Sequence, residues 1–216
     1  MREVTRMKKK IGFLTILIAL GQTSFSQKAE FNGANQFYGE LGTHVLFSQL
    51  DGDGASGYNK FGLQLQALVG YTLNNQEALE FSLGFSERGS RKGIDPENSD
   101  FRIFHIRHQW LETGVYYARY FEGILAHAGL RGTYLIAAEE SEGFDPNIES
   151  GMRKIGALAE LGLRYPLNEN WSVSANASYS VFSLLKNDNS TFLPNSLYRS
   201  AGLFSNNIGI GIIFTP

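Results

Sequence analysis

The chain has 216 residues, 43% hydrophobic, 13% aromatic and 19% charged, with 24 Gly, 5 Pro, no Cys and a formal net charge of −2. Enough apolar residues are present to build a core, so the composition excludes a disordered chain. The missing Cys excludes disulfide frameworks, thiol catalysis and Cys-held metals. The near-neutral balance gives no nucleic-acid footprint, and no apolar run reaches the roughly 18 residues of a spanning helix.

The first 26 residues read as a secretory signal. Arg2, Arg6, Lys8, Lys9 and Lys10 form a basic head, Ile11 to Leu20 an apolar stretch too short to span a bilayer, and Ser24-Phe25-Ser26 a small-residue cleavage site. Met7 is an alternative start, since Met7-Lys8-Lys9-Lys10 supplies a basic head by itself. With no Cys at the cleavage site, a lipid anchor is not expected there. The signal holds five basic residues and one acidic residue. The remainder, residues 27–216, therefore carries 14 basic against 20 acidic side chains, a net −6. That remainder is read as one domain.

From Phe37 onward the dominant period is two. Phe37, Gly39, Leu41, Val45 and Phe47 alternate with Tyr38, Glu40, Gly42, His44 and Ser48. Similar alternation follows at Phe61–Tyr71, Leu79–Phe85, Leu111–Tyr117, Ala126–Ile136, Ile155–Tyr165, Trp171–Val181 and Ile208–Phe214. Eight such stretches predict eight strands, each with an apolar and a polar face. The links alternate strictly in length. Long ones run over 51–58, 88–106, 139–151 and 184–199; short ones lie at 73–76, 120–122 and 166–170. Pro96, Pro146, Pro166 and Pro194 fall in these links, where no ladder donor is needed.

Short turns alternating with long loops are the layout of a transmembrane barrel. The predicted fold class is all-β, an eight-stranded antiparallel transmembrane β-barrel of the outer membrane, with both termini on the periplasmic side. A soluble lipocalin-like barrel with an apolar cavity is the competing architecture. Three features favour the membrane. The polar faces are rich in Gly and Ser, as a narrow lumen requires. Tyr71, Tyr117, Tyr120, Phe121, Tyr165 and Trp171 gather beside the short turns like an interfacial girdle. The last strand ends in the alternating run Gly211-Ile212-Ile213-Phe214. The partner expected on this reading is outer-membrane lipid, with protein partners reached through the long loops. The chain is expected to be a monomer.

Two segments carry a family resemblance. Gly84-Phe85-Ser86-Glu87-Arg88-Gly89-Ser90-Arg91 resembles the strand-to-loop signature of the PorT-like outer-membrane β-barrel family of Bacteroidetes, in which an aromatic-Ser-basic-basic-Gly run ends the third strand. Trp110-Leu111-Glu112-Thr113-Gly114-Val115-Tyr116-Tyr117 is similar to the strand that follows it there, with Trp110 in place of Tyr and Gly114 in place of Pro. The resemblance implies an eight-stranded outer-membrane barrel and carries no particular activity with it.

The polar faces hold charges that must pair if they are enclosed. Counted outward from a turn at Phe121, Glu112 and Arg131 become cross-strand neighbours; counted from 168, so do Glu160 and Asn176. The expected interior network is Glu112, Arg131, Glu160 and Asn176, surrounded by Glu40, Glu80, Lys154 and Arg164. Its role is to plug the lumen, since eight strands leave little room beyond side chains. No catalytic set is expected. His44 and His127 point inward by parity, and His105 and His108 lie in or near a long loop with no Ser motif beside them. A lipid-modifying enzyme is the alternative activity. Asp51-Gly52-Asp53-Gly54 starts like a calcium loop, but Ala55 and Gly62 stand at its fifth and twelfth positions, so no metal is expected. No cofactor is implied.

Overall fold

Each alternating stretch forms a strand: β1 (Phe37–Asp51), β2 (Lys60–Thr72), β3 (Glu77–Lys92), β4 (Phe104–Phe121), β5 (Ile124–Ser141), β6 (Ile155–Pro166), β7 (Trp171–Ser180) and β8 (Phe204–Phe214). The structure, a computed structural model, describes residues 31, 33–51, 58–92, 104–141, 152–185 and 203–216. The signal segment, its cleavage site, the Asp53 loop and the acidic run at Asp95, Glu97 and Asp100 lie outside these. The strands pair antiparallel in chain order, and β1 also pairs with β8, so the sheet closes on itself. Closure leaves no edge strand with unpaired N–H and C=O groups.

The two faces sort as period two dictates, with the apolar one outside. Val115, Leu130 and Leu161 are 60%, 61% and 66% exposed, whereas Gln64, Glu80, Glu112, Arg131, Glu160 and Arg164 are buried. A soluble ligand barrel needs the reverse arrangement, so the lipocalin-like alternative fails on this observation. On the outer face of β4 the charged residues Arg107 and Arg119 stand twelve positions apart. That is about 40 Å along a strand at ~3.3 Å per residue, or about 30 Å along the normal for a tilt near 40°, the thickness of a hydrocarbon core.

Aromatics ring the short-turn end of this belt. Trp171 packs on Phe214 and Phe37 on Tyr71, each with ring centroids 5.0 Å apart. Tyr117, Phe121 and Tyr165 are exposed beside them. Tyr117 donates to Glu77 at 2.6 Å, and Arg119 pairs with the same carboxylate at 3.4 Å. Tyr120 departs from the expected girdle. It pairs across the turn with Leu125, which is buried, and its ring meets Phe31 at 4.8 Å beneath the barrel.

Three other boundaries differ from the sequence reading. The β4–β5 turn is Glu122-Gly123, with φ of 48° and 89°; two successive positive φ values define the hairpin turn that a two-residue connection favours. β3 runs on to Lys92 and β4 starts at Phe104, so the ladder continues from Glu87↔Gln109 to Lys92↔Phe104 and Arg88 is a strand residue. A register shift at Gln109/Trp110 leaves Ile136 as the extra residue of β5. Ile136 stays exposed, while Leu135 and Ala138 both pack inward.

The belt makes a depth-dependent prediction. Val115→Arg, at mid-height, should cost about 2–4 kcal/mol of folding free energy in lipid, and Phe61→Arg, at the upper rim, about 0–1 kcal/mol. Urea titration of folding into vesicles measures both.

Candidate functional site

Inside the ring the polar faces of the strands meet, and their charges pair across the lumen. Arg131 on β5 is the hub. Its Nη1 is 2.8 Å from Glu112 Oε2, its Nη2 donates to Glu160 Oε1 at 2.6 Å, and its Nε donates to the Tyr116 hydroxyl at 3.0 Å. Glu112 is shared. Its Oε1 accepts from Ser86 at 2.8 Å and lies 2.7 Å from Arg88 Nη2; its Oε2 also accepts from Gln64 at 3.0 Å. One layer therefore joins β2, β3, β4, β5 and β6 through side chains.

A second layer lies nearer the short turns. Arg164 on β6 reaches Glu40 on β1 at 2.8 Å and Glu80 on β3 at 2.8 and 2.5 Å. Tyr38 donates to Glu80 at 2.5 Å. These contacts cross the lumen between strands that do not pair in the sheet. In a medium of low dielectric, each guanidinium contributes most where two carboxylates converge on it, and leaving any of these groups single would be costly.

Small residues make the room. A Cβ added at Gly114 or Gly129 would collide with the Tyr116 ring, so both glycines are what let Tyr116 lie flat across the wall and extend its hydroxyl to Arg131. Above the ion pairs, Leu50, Ile106, Trp110, Leu135, Met152, Leu184 and Leu203 form a buried apolar layer. It is tied by backbone hydrogen bonds from Arg153 to Leu184 and from Leu184 to Leu203. Below the ion pairs, Phe31 stacks on Tyr38 at 5.3 Å and meets Tyr120 edge-on. The lumen is thus a charged layer held between an apolar stopper and an aromatic one.

The sequence-derived network maps onto this as follows. Glu112, Arg131 and Glu160 come together in the upper layer, and Glu40, Glu80 and Arg164 in the lower. Glu112 and Arg131 are diagonal rather than opposite, because their register partners are Thr133 and Gly114. The turn centre lies a residue later than the count from Phe121 assumed, and the long side chains span the offset. Likewise Glu160 stands opposite Ser178, and the buried Asn176 opposite Gly162 and Gly209.

Lys154 does not belong. β6 begins one residue later, and Lys154 is exposed beside the strand while its carbonyl accepts from Leu135 N at 2.7 Å. The residue that replaces it was hidden in the expected 88–106 link. Arg88 is buried at 2% exposure, paired with Glu112, with its Cζ 5.2 Å from the Trp110 ring centroid. The alternation that predicted strand three does extend through Ser86, Arg88 and Ser90, so the signal was present.

Gly84–Arg91 and Trp110–Tyr117, the two segments of the family resemblance, lie on adjacent strands and overlap in register at Gly84–Ser86 and Trp110–Glu112. Ser86 pairs with Trp110 and Gly84 with Glu112. Their polar residues form one unit, Ser86–Glu112–Arg88–Trp110. The histidines are placed by the same parity. His44 and His127 face inward, His44 Nε2 lying 2.7 Å from Ser174 Oγ and His127 Nε2 3.7 Å from Glu160. His108 is a strand residue, buried opposite Arg88 against Trp110. Among the described residues no group of three or more His, Asp or Glu is disposed to hold a metal.

A closed antiparallel ring with an apolar outer belt and an ion-paired interior defines the class: a transmembrane β-barrel whose lumen is filled. No family model matches the chain, and no curated protein matches it. Solved structures do. Neisserial surface protein A (NspA) is 14% identical, the match covering 83% of this chain and 97% of that one with a TM-score of 0.50. Ail, the attachment invasion locus protein of Yersinia pestis, is 12% identical over 85% and 99% of the two chains, TM-score 0.43. OprG from Pseudomonas aeruginosa is 16% identical over 85% and 97%, TM-score 0.36. The fold is that of the eight-stranded outer-membrane barrels.

Arg131→Met should destabilise the barrel by about 3–5 kcal/mol, since two carboxylates lose their cation. Adding Glu160→Gln should recover part of the loss, because Arg88 and Glu112 then remain as a matched pair. Exchanging Glu112 and Arg131 should not recover it, because the new carboxylate at 131 would face Glu160. Unfolding of the four proteins in micelles checks the order.

Proposed function

We propose that this chain is a non-enzymatic barrel of the outer membrane, monomeric, that acts structurally or by interaction through its four long links. The observation that carries this reading is the filled lumen. Arg131, Arg164, Arg88 and their four carboxylates occupy its centre, with the Leu50–Trp110 layer above and Phe31, Tyr38 and Tyr120 below. A pathway for solute would have to break these contacts, so the barrel serves as a platform for its links.

Lipid-modifying catalysis is the weaker reading. It calls for Ser and His at the lipid-facing rim, with a carboxylate orienting the His. The close Ser–His pair here, Ser174 and His44, is buried and faces the lumen. Affinity with the PorT-like barrels is part of the proposal. Its support is that the two resembling segments meet in one buried unit, Arg88–Glu112–Trp110, so the resemblance falls on residues that act together.

Proteoliposomes carrying the protein should swell in an isosmotic sugar solution no faster than empty vesicles, and the protein should fractionate with the outer membrane and shift on denaturing gels when heated. Swelling at the rate of an open pore would overturn the reading.

A further inference from the structure

Above the apolar belt, at the long-link end, the outward face of β3, β4 and β5 is charged, and its charges are unevenly matched. On β4 the outward residues there are Gln109, Arg107 and His105; on β3 they are Glu87, Gly89 and Arg91. The ladder sets Glu87 opposite Gln109, Gly89 opposite Arg107 and Arg91 opposite His105. Glu139 of β5 stands on the other side of Arg107. Arg107 takes both carboxylates of this face, Glu87 at 2.5 Å and Glu139 at 3.7 Å, and Glu87 also holds Lys60 at 2.9 Å. Arg91 pairs with neither, and it is exposed. On β1 the outward residues at this end are Gln49 and Asp51, so the cations gather on the β3–β4 side.

Opposite neighbours on one face of an antiparallel pair lie close enough for their side chains to act on one ligand. Arg91 and His105 are such a pair. The charges that act most on His105 are Lys60, Arg91 and Arg107, with Glu87 the one carboxylate among them. The site is therefore electropositive and rich in N–H donors. Its depth follows from the strand. Arg107 marks the upper edge of the hydrocarbon, and His105 lies two residues beyond it. Two residues advance about 7 Å along the strand at ~3.3 Å each, or about 5 Å along the normal for a tilt near 40°. The headgroup layer is roughly 5–7 Å deep on each side of the hydrocarbon core. Directly below, Leu83 and Leu111 are exposed to lipid chains.

We propose that Arg91 and His105 form a site for the phosphate of an anionic outer-leaflet lipid. The arginine fork takes two phosphate oxygens and the imidazole N–H a third, charge-assisted contacts of the strong kind. The lipid is the source because the pair looks sideways from the wall at headgroup depth, over an apolar face that the acyl chains of the same molecule can cover. The inference goes beyond the interaction role of the links and depends only on the belt being in lipid.

The protein is reconstituted in phosphatidylcholine vesicles with a trace of one photoreactive lipid, phosphatidic acid or diacylglycerol, each carrying the same diazirine acyl chain. After illumination, labelled peptides are mapped. Diacylglycerol should label the belt all round, which independently checks that the belt is in lipid. Phosphatidic acid should concentrate on the peptides holding Arg91 and His105 by about fivefold over diacylglycerol, the factor one arginine carries near anionic lipid. Arg91→Gln should remove most of that excess and His105→Leu part of it. Arg119→Gln, at the opposite rim beside Glu77, should leave it unchanged. Inorganic phosphate should displace no more label than chloride of the same ionic strength. Heat-shifted mobility verifies that each variant is folded. An excess that is absent, or that survives Arg91→Gln, overturns the proposal. Displacement specific to inorganic phosphate overturns it too, by assigning the site to the free anion.

Discussion

Inside a bilayer no water is at hand for a backbone N–H or C=O, and each such group left single costs several kcal/mol. A sheet can meet that demand only by closing. Here β8 pairs with β1 from Leu41↔Phe214 to Asp51↔Phe204, which completes the ring. Closure then fixes everything that side chains can do. With period two, every residue faces either lipid or a lumen, and with eight strands the lumen is narrow enough for side chains to fill. Val115 and Glu112, three positions apart, consequently live in opposite solvents.

The interior inherits its problem from that geometry. Polar side chains turned away from lipid enter a space nearly as poor in water, so their charges must satisfy one another. The solution is two layers centred on arginines, Arg131 between Glu112 and Glu160, and Arg164 between Glu40 and Glu80. Arginine suits the place because its fork meets two carboxylates at once. Each layer also tethers strands that share no ladder, so the ion pairs brace the barrel across its diameter as the backbone braces it around the wall.

The outer face shows the same economy with one exception. Leu, Val, Ile and aromatic side chains cover most of it, but on β5 and β7 alanine leaves a depression. The feature sets the β5–β8 side apart from the β1–β4 side of an otherwise repetitive wall.

Strand number, strand order, the inward set Glu40, Glu80, Glu112, Arg131, Glu160 and Arg164, and the outward apolar set were all legible in the sequence. Parity and link length are local properties, and within the bilayer the strands obey parity closely. Local reasoning lost Arg88, because a charged, glycine-containing run reads as a link when its strand partner is unknown. It misplaced Lys154, which lies just before β6, where parity stops holding, and it put Tyr120 in the girdle although Tyr120 shares the inward parity of Tyr116 and Ala118. It made Glu112 and Arg131 near neighbours, as they are, but left their offset open, because a hairpin's register depends on the turn centre, here Glu122-Gly123. What only the tertiary structure decided is which charges meet across the lumen. Arg164 finds Glu40, 124 residues away, and Glu80, 84 residues away, through the closure and stagger of the ring. No period along the chain encodes a distance across its diameter.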